Sequence, residues 1–91
     1  MRESEIERLI CEKARHLGIS NLKLSGPGNR GQSDRMFMKN GRVAFLEVKA
    51  PGGVISALQR RFIDERRADG FAADVFDNVV LAVQWLRKEL L

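Results

Sequence analysis

The chain is poor in the residues that most often mark a site. It has one cysteine (Cys11), one histidine (His16), one tryptophan (Trp85) and no tyrosine. A lone thiol excludes an internal disulfide and any cysteine-based zinc site, which fits a reducing interior, and Cys11 reads as a small buried hydrophobe. A lone imidazole rules out most other zinc sites. Without tyrosine, and with one indole, there is little material for stacking the bases of a single strand. No signal peptide is recognisable and no apolar run approaches the roughly 18 residues of a membrane span. The expectation is a soluble, intracellular (cytoplasmic) protein with no membrane contact and no organic cofactor.

What is present suits one small domain over 1–91. The 91 residues are 44% hydrophobic and 31% charged, so a core can form. At this length only about 60 to 65% of the unfolded surface can be buried, and oligomerisation would help. A net charge of +4 and a pI near 9.8 favour a polyanionic partner, because phosphate neutralisation by Lys and Arg dominates nucleic-acid affinity.

The most informative stretch runs from Asp34 to Lys49. Asn40-Gly41 between two apolar-rich runs signals a two-residue hairpin, since both positions of a type I′ turn need positive φ. Partners then sum to 81, so Met38 meets Val43, Met36 meets Phe45 and Asp34 meets Glu47. Facing Cβ atoms lie roughly 5 Å apart and like charges there destabilise the pair, so the arrangement asks for a cation. Glu47 and Lys49 share a face, about 6.6 Å apart along the strand. Oxygen ligands without His or Cys suit Mg2+ or Mn2+, and a lysine beside such an ion matches metal-assisted phosphodiester hydrolysis. The plain alternative is a surface ion pair at a strand end.

The remaining segments supply a frame. Residues 3–17 carry a helical stripe of Ile6, Leu9, Ile10, Ala14 and Leu17, closed by Gly18. Ser4 and Glu7 match a capping box, which gives Glu7 a structural role of its own, and His16 complements the helix dipole. Residues 21–25 read as a short strand and 26–33 as a polar, glycine-rich loop. Val43 to Val48 is apolar on both faces, as in a central strand, which leaves Glu47 partly buried and in need of a cation or of Lys49. A second helix from Ser56 to about Asp69 opens on another capping box, Ser56-x-x-Gln59. It buries Leu58 and Phe62 and presents Arg60, Arg61, Arg66 and Arg67 to solvent or to phosphates. Residues 72–76 form a fourth strand, Asp77 or Asn78 an N-cap, and Val79 to Leu90 a third helix with Val79, Val83, Leu86 and Leu90 on one face. Val80 and Trp85 fall off that face, and the spare apolar surface points to a homodimer.

The order α-β-β-β-α-β-α, with Gly31-x-x-Asp34, Glu47-Val48-Lys49 and Gln59, resembles the PD-(D/E)xK nuclease superfamily, most closely the small stand-alone VRR-NUC domains of phages and bacteria. The likeness runs along nearly the whole chain, taking in Glu3, Glu7, the segment from Pro27 to Arg35, and Glu47 to Gly52. It implies an α/β (α+β mixed sheet) fold with a restriction-endonuclease-like core followed by a C-terminal helix. It also implies an Mg2+- or Mn2+-dependent phosphodiesterase. Asp34 and Glu47 hold the metal, with the carbonyl of Val48 as a further ligand; Lys49 assists the attacking water and Gln59 supports the site. A first-helix glutamate completes the metal shell, with Glu7 favoured over Glu3 and Glu5 because it lies near the stripe that faces the sheet. Candidate DNA contacts are Arg60, Arg61, Arg35, Arg30 and Lys23. One departure from the pattern is Ser33, where the family usually has proline before the aspartate, which bears on loop rigidity more than on chemistry.

Stand-alone members resemble Holliday-junction resolvases, so the leading expectation is a homodimeric, structure-selective DNA endonuclease acting on four-way or other branched DNA. The alternatives are a branched-DNA-binding protein on a catalytically weak nuclease scaffold and a non-selective nicking nuclease.

Overall fold

A computed structural model describes residues 1–24 and 35–91. The loop reading for 26–33, and the readings of Arg30, Gly31, Ser33 and Asp34, therefore lie outside the described residues. The element order is α1 (Glu3–His16), β1 (Ser20–Lys23), β2 (Arg35–Lys39), β3 (Arg42–Val48), α2 (Ala57–Ala68), β4 (Ala72–Phe76) and α3 (Val79–Leu90), the α-β-β-β-α-β-α order expected. The strands form one mixed sheet in the order β1-β2-β3-β4. The first two pairings are antiparallel and β3·β4 is parallel, the geometry a helical crossover through α2 imposes.

The hairpin forms as its turn residues dictate. Asn40 and Gly41 have φ of 56° and 74°, and the register pairs Met38 with Val43, Met36 with Phe45 and Arg35 with Leu46. The Asn40 side chain also donates to the Leu90 carbonyl at 3.0 Å, tying the turn to the end of α3, where carbonyls lack helical partners.

Register fixes which residue faces which layer, because paired residues share a face. Phe37, Ala44, Leu46 and Val48 point toward α1 and α3 and form the main core with Ile6, Ile10, Ala14, Ile19, Ala82, Leu86 and Leu90. Fully burying a side chain such as Leu46 contributes about 1.5–3 kcal/mol. The opposite face carries Phe45 and Glu47 and is covered by α2, with the Phe45 ring edge-on to those of Phe62 and Phe71. Among the strands, α2 packs on β3 and β4 alone. Leu22, which pairs with Met36 on that same side, is accordingly left 53% exposed.

Four local readings are corrected. Helix α1 starts at Glu3, and the Glu5 carboxylate accepts the Arg2 backbone N–H at 3.3 Å. The Ser4–Glu7 capping box therefore does not form: Ser4 is inside the first turn, and Glu7 is released from a capping role. In α2 the buried residue is Ile63, while Leu58 is 54% exposed. Gln59 must face the sheet to reach Glu47, and Ile63, one turn on, follows it. In α3 the buried face is Ala82, Leu86 and Leu90, not Val83. Trp85 belongs to the packed side, its ring 5.4 Å from that of Phe76. Cys11 is half-buried, and desolvation raises its thiol pKa above the usual range despite the nearby Arg35. The helix ends behave as read. Gly18 (φ +75°) closes α1, with Gly18 N–H on the Arg15 carbonyl and Ile19 N–H on that of Ala14, and Asn78 caps α3 by accepting the Leu81 N–H. Among the described residues, no helix is long and apolar enough to cross a membrane.

Candidate active site

Strand β3 delivers Glu47 to the α2 side of the sheet, and Lys49 follows two residues later on the same face. The Lys49 N–H donates to the Phe76 carbonyl at 3.0 Å, holding this backbone to β4 one step beyond the strand. The chain then turns through Ala50-Pro51-Gly52-Gly53, with Gly53 N–H on the Ala50 carbonyl at 2.8 Å and Gly52 at φ +82°, the signature of a type II turn. The turn is tight against the lysine: a Cβ on Gly53 would lie 2.9 Å from the Ala50 oxygen and 3.3 Å from the Lys49 Cβ.

Glu47 is 1% exposed, the only buried charged residue among those described. Its Oε1 accepts from the Gln59 Nε2 at 2.8 Å and lies 3.4 Å from the Lys49 Nζ. A carboxylate this deep is tolerable only with such partners, because stripping it of water costs several kcal/mol. Gln59 performs two tasks at once. Its Oε1 accepts the Ser56 N–H at 2.9 Å and its own N–H donates to the Ser56 Oγ at 3.1 Å, completing the capping box. Because the amide oxygen is engaged at the helix end, the NH2 group is the part turned to Glu47.

The first-helix carboxylates divide. Glu3 Oε1 lies 4.0 Å from the Lys49 Nζ. Glu7, one turn further on, is held elsewhere: its Oε2 accepts from the Arg35 Nε at 2.7 Å and lies 3.6 Å from the Lys23 Nζ. The Arg35 Nη1 donates to the Asn21 Oδ1 at 2.8 Å. Arg35 pairs with Leu46 and so projects from the face opposite Glu47. The structure thus brings Glu3, rather than Glu7, toward Lys49. Sequence could have suggested this only through the i, i+4 spacing that puts both on one side of α1.

Asp34 and Arg30 lie outside the described residues. Val48 turns its side chain into the core on the other face of the sheet. Of the candidate DNA contacts, Arg60 and Arg61 stand on the outer side of α2, each with an acid four residues on (Asp64 at 3.6 Å, Glu65 at 3.7 Å); exposed pairs of this kind contribute little. Arg66 and Arg67 brace the fold instead. Arg66 sits 4.8 Å over the Phe62 ring and reaches Asp69, and Arg67 donates to the Ala73 carbonyl at 2.8 Å.

Among the described residues, no three His, Cys, Asp or Glu side chains are close enough together to hold a metal. The donor chemistry at Glu47 and Glu3 nevertheless fits a hard divalent cation, being carboxylate oxygen without nitrogen or sulfur.

A mixed sheet with helices on both faces is a restriction-endonuclease-like α/β core, and in it a buried strand-end glutamate is bonded to a helix amide and lies beside a lysine two residues on. More particularly, the chain has the fold of a VRR_NUC domain: a solved VRR_NUC domain superposes with a TM-score of 0.81 over 93% of this chain and 94% of that one, at 23% identity. A protein named "Putative nuclease p44", from Acyrthosiphon pisum secondary endosymbiont phage 1, is 40% identical over 53 residues. That match spans 57% of this chain and 57% of that protein. No family model matches the sequence.

Proposed function

We propose that the chain is a metal-dependent endonuclease that hydrolyses DNA phosphodiester bonds, selective for four-way or other branched DNA, and that it works as a homodimer. The observation that carries the chemistry is the Glu47 carboxylate, 1% exposed yet held by Gln59 and Lys49, on the fold of a VRR_NUC domain. Likeness to the phage protein named as a nuclease supports the same reading.

Glu47, Asp34 and the carbonyl of Val48 would hold Mg2+ or Mn2+, completed by Glu3, with Glu7 as the competing helix ligand. Asp34 immediately precedes Arg35 in the sequence, and Arg35 pairs with Leu46, the residue before Glu47. Such an ion supplies Lewis acidity toward the phosphate and eases ionisation of water. The protein's own groups do the rest. Lys49 balances charge developing on the phosphate and orients the attacking water. Gln59 fixes the Glu47 carboxylate, and the Pro51–Gly53 turn fixes Lys49.

Junction selectivity rests on the family resemblance carried by Glu47-Val48-Lys49 and Gln59. Dimerisation is supported by apolar side chains left exposed around α2, among them Val54, Leu58 and Phe71. The test is a side-by-side digest of linear duplex, single strand, flap and four-way junction with Mg2+, Mn2+ or EDTA. Ion-dependent cutting with preference for the junction is expected. Tight junction binding with no nick under any divalent ion would instead identify a binding protein.

A further inference from the structure

Helix α1 gives Ile6, Ile10 and Ala14 to the core. Its outer side and the adjoining strands enclose an open groove of ≈ 510 Å³ into which Arg8 and Arg15 of α1, Lys23 of β1 and Arg35 of β2 all project. Only two carboxylates line it, Glu7 and Glu12, so four cations against two anions leave +2, half of the chain's net +4. Glu7 is shared between Arg35 and Lys23, and Glu12 lies 3.3 Å from Arg8. Arg15 has no carboxylate within ion-pair distance among the described residues.

We infer that this groove is a second phosphate-contacting surface, which grips the DNA duplex beside the point of cleavage; the inference rests on the proposed nuclease function. Two features favour a phosphodiester backbone over a solvated face. The groove begins beside Glu3: Ser4 and Glu7 on its wall belong to the same first turns of α1, and Glu3 Oε1 lies 4.0 Å from the Lys49 Nζ. Arg8 and Arg15 are also seven residues apart, about 10 Å along the helix axis, a span equal to about three base-pair steps of a duplex at roughly 3.4 Å of rise each. Guanidinium groups bind phosphate bidentately and are weakly hydrated, which suits them to this contact.

The experiment measures binding of a fluorescent junction and a fluorescent duplex by anisotropy in EDTA, across a series of KCl concentrations. It compares the unaltered protein with Arg8→Ala/Arg15→Ala, with Arg15→Ala alone, and with Arg87→Ala/Lys88→Ala. The last removes the same two charges from the exposed end of α3. The expected result is a log K against log[salt] slope shallower by about 2 in the groove double variant and about 1 in Arg15→Ala, with affinity lower for both DNA forms alike. The α3 variant should keep the parent slope. Equal slopes in the groove and α3 variants, or no change in either, would overturn the inference. A parallel digest with Mg2+ separates the two claims: a protein that binds with these slopes but never cuts fails as a nuclease while keeping the groove, and one that cuts normally with an unaltered slope does the reverse.

Discussion

Gln59 donates its side-chain N–H to the buried Glu47 carboxylate at 2.8 Å while its amide oxygen accepts the Ser56 N–H at 2.9 Å. One side chain thereby couples the start of α2 to the acid at the end of β3. Orienting partners of this kind are worth about 10- to 100-fold in metal affinity or activity. Gln59→Ala should therefore cut activity by at least about tenfold and stability by about 1–3 kcal/mol, because it leaves a buried acceptor short of a donor. Ser56→Ala removes only the hydroxyl and keeps the backbone N–H that orients Gln59. It should cost about 1 kcal/mol with activity nearly intact. Denaturant titrations alongside cleavage rates check both.

Lys49→Met keeps the length of the side chain and removes its charge. Lys49 is 18% exposed and its partner Glu47 is 1% exposed, so the loss takes the neighbouring cation from a desolvated carboxylate. The predicted cost is about 2–3 kcal/mol, below the full penalty of a wholly buried pair because Lys49 retains some water contact. Cleavage should be abolished. Activity preserved in a folded Lys49→Met protein would remove the lysine from the mechanism.

Glu3 and Glu7 should part company on substitution. Glu3→Gln is expected to weaken activity and divalent-ion affinity, read as a smaller ion-induced rise in melting temperature. Glu7→Gln should leave ion affinity nearly unchanged, lower stability by about 1 kcal/mol through loss of a charge-assisted bond to Arg35, and tighten DNA binding by freeing Arg35 and Lys23. The opposite pattern would identify Glu7 as the helix ligand.

Gly53→Ala tests the turn behind the lysine. Its Cβ would meet the Ala50 oxygen at 2.9 Å and the Lys49 Cβ at 3.3 Å, so the backbone carrying Lys49 must shift. A misplacement of about 1 Å can cost about a hundredfold in rate. A drop in cleavage rate that clearly exceeds what any loss of stability explains is the expected signature.

Much of this was legible in the residues, and where it was not, the reason is tertiary. Asn40-Gly41 settled the register because two consecutive positive φ values admit few residues and one hairpin geometry. Ser56 and Gln59 read correctly because a capping box is local chemistry. Ser4 and Glu7 show the same pattern and did not cap, since Glu5 could accept the Arg2 N–H from one turn earlier. The face of α2 is ambiguous in sequence because Leu58 and Ile63 are both apolar; the choice is made by Gln59 reaching across to Glu47, a contact that no periodicity reveals. Trp85 falls off the helical stripe, yet Phe76 on β4 gives it a partner. The ion pairs of Glu7 depend on Arg35 and Lys23 converging from two strands, which a helix pattern cannot show.

The most direct test of the account is the single-turnover cleavage rate of a labelled DNA substrate at saturating Mn2+, for the unaltered protein and for Glu47→Gln, each repeated with EDTA. If Glu47 holds the ion, cutting occurs only with the ion and falls by more than about a hundredfold in the variant, since a ligand should matter more than the groups that orient it. Ion-dependent cutting at an unchanged rate in Glu47→Gln would contradict it.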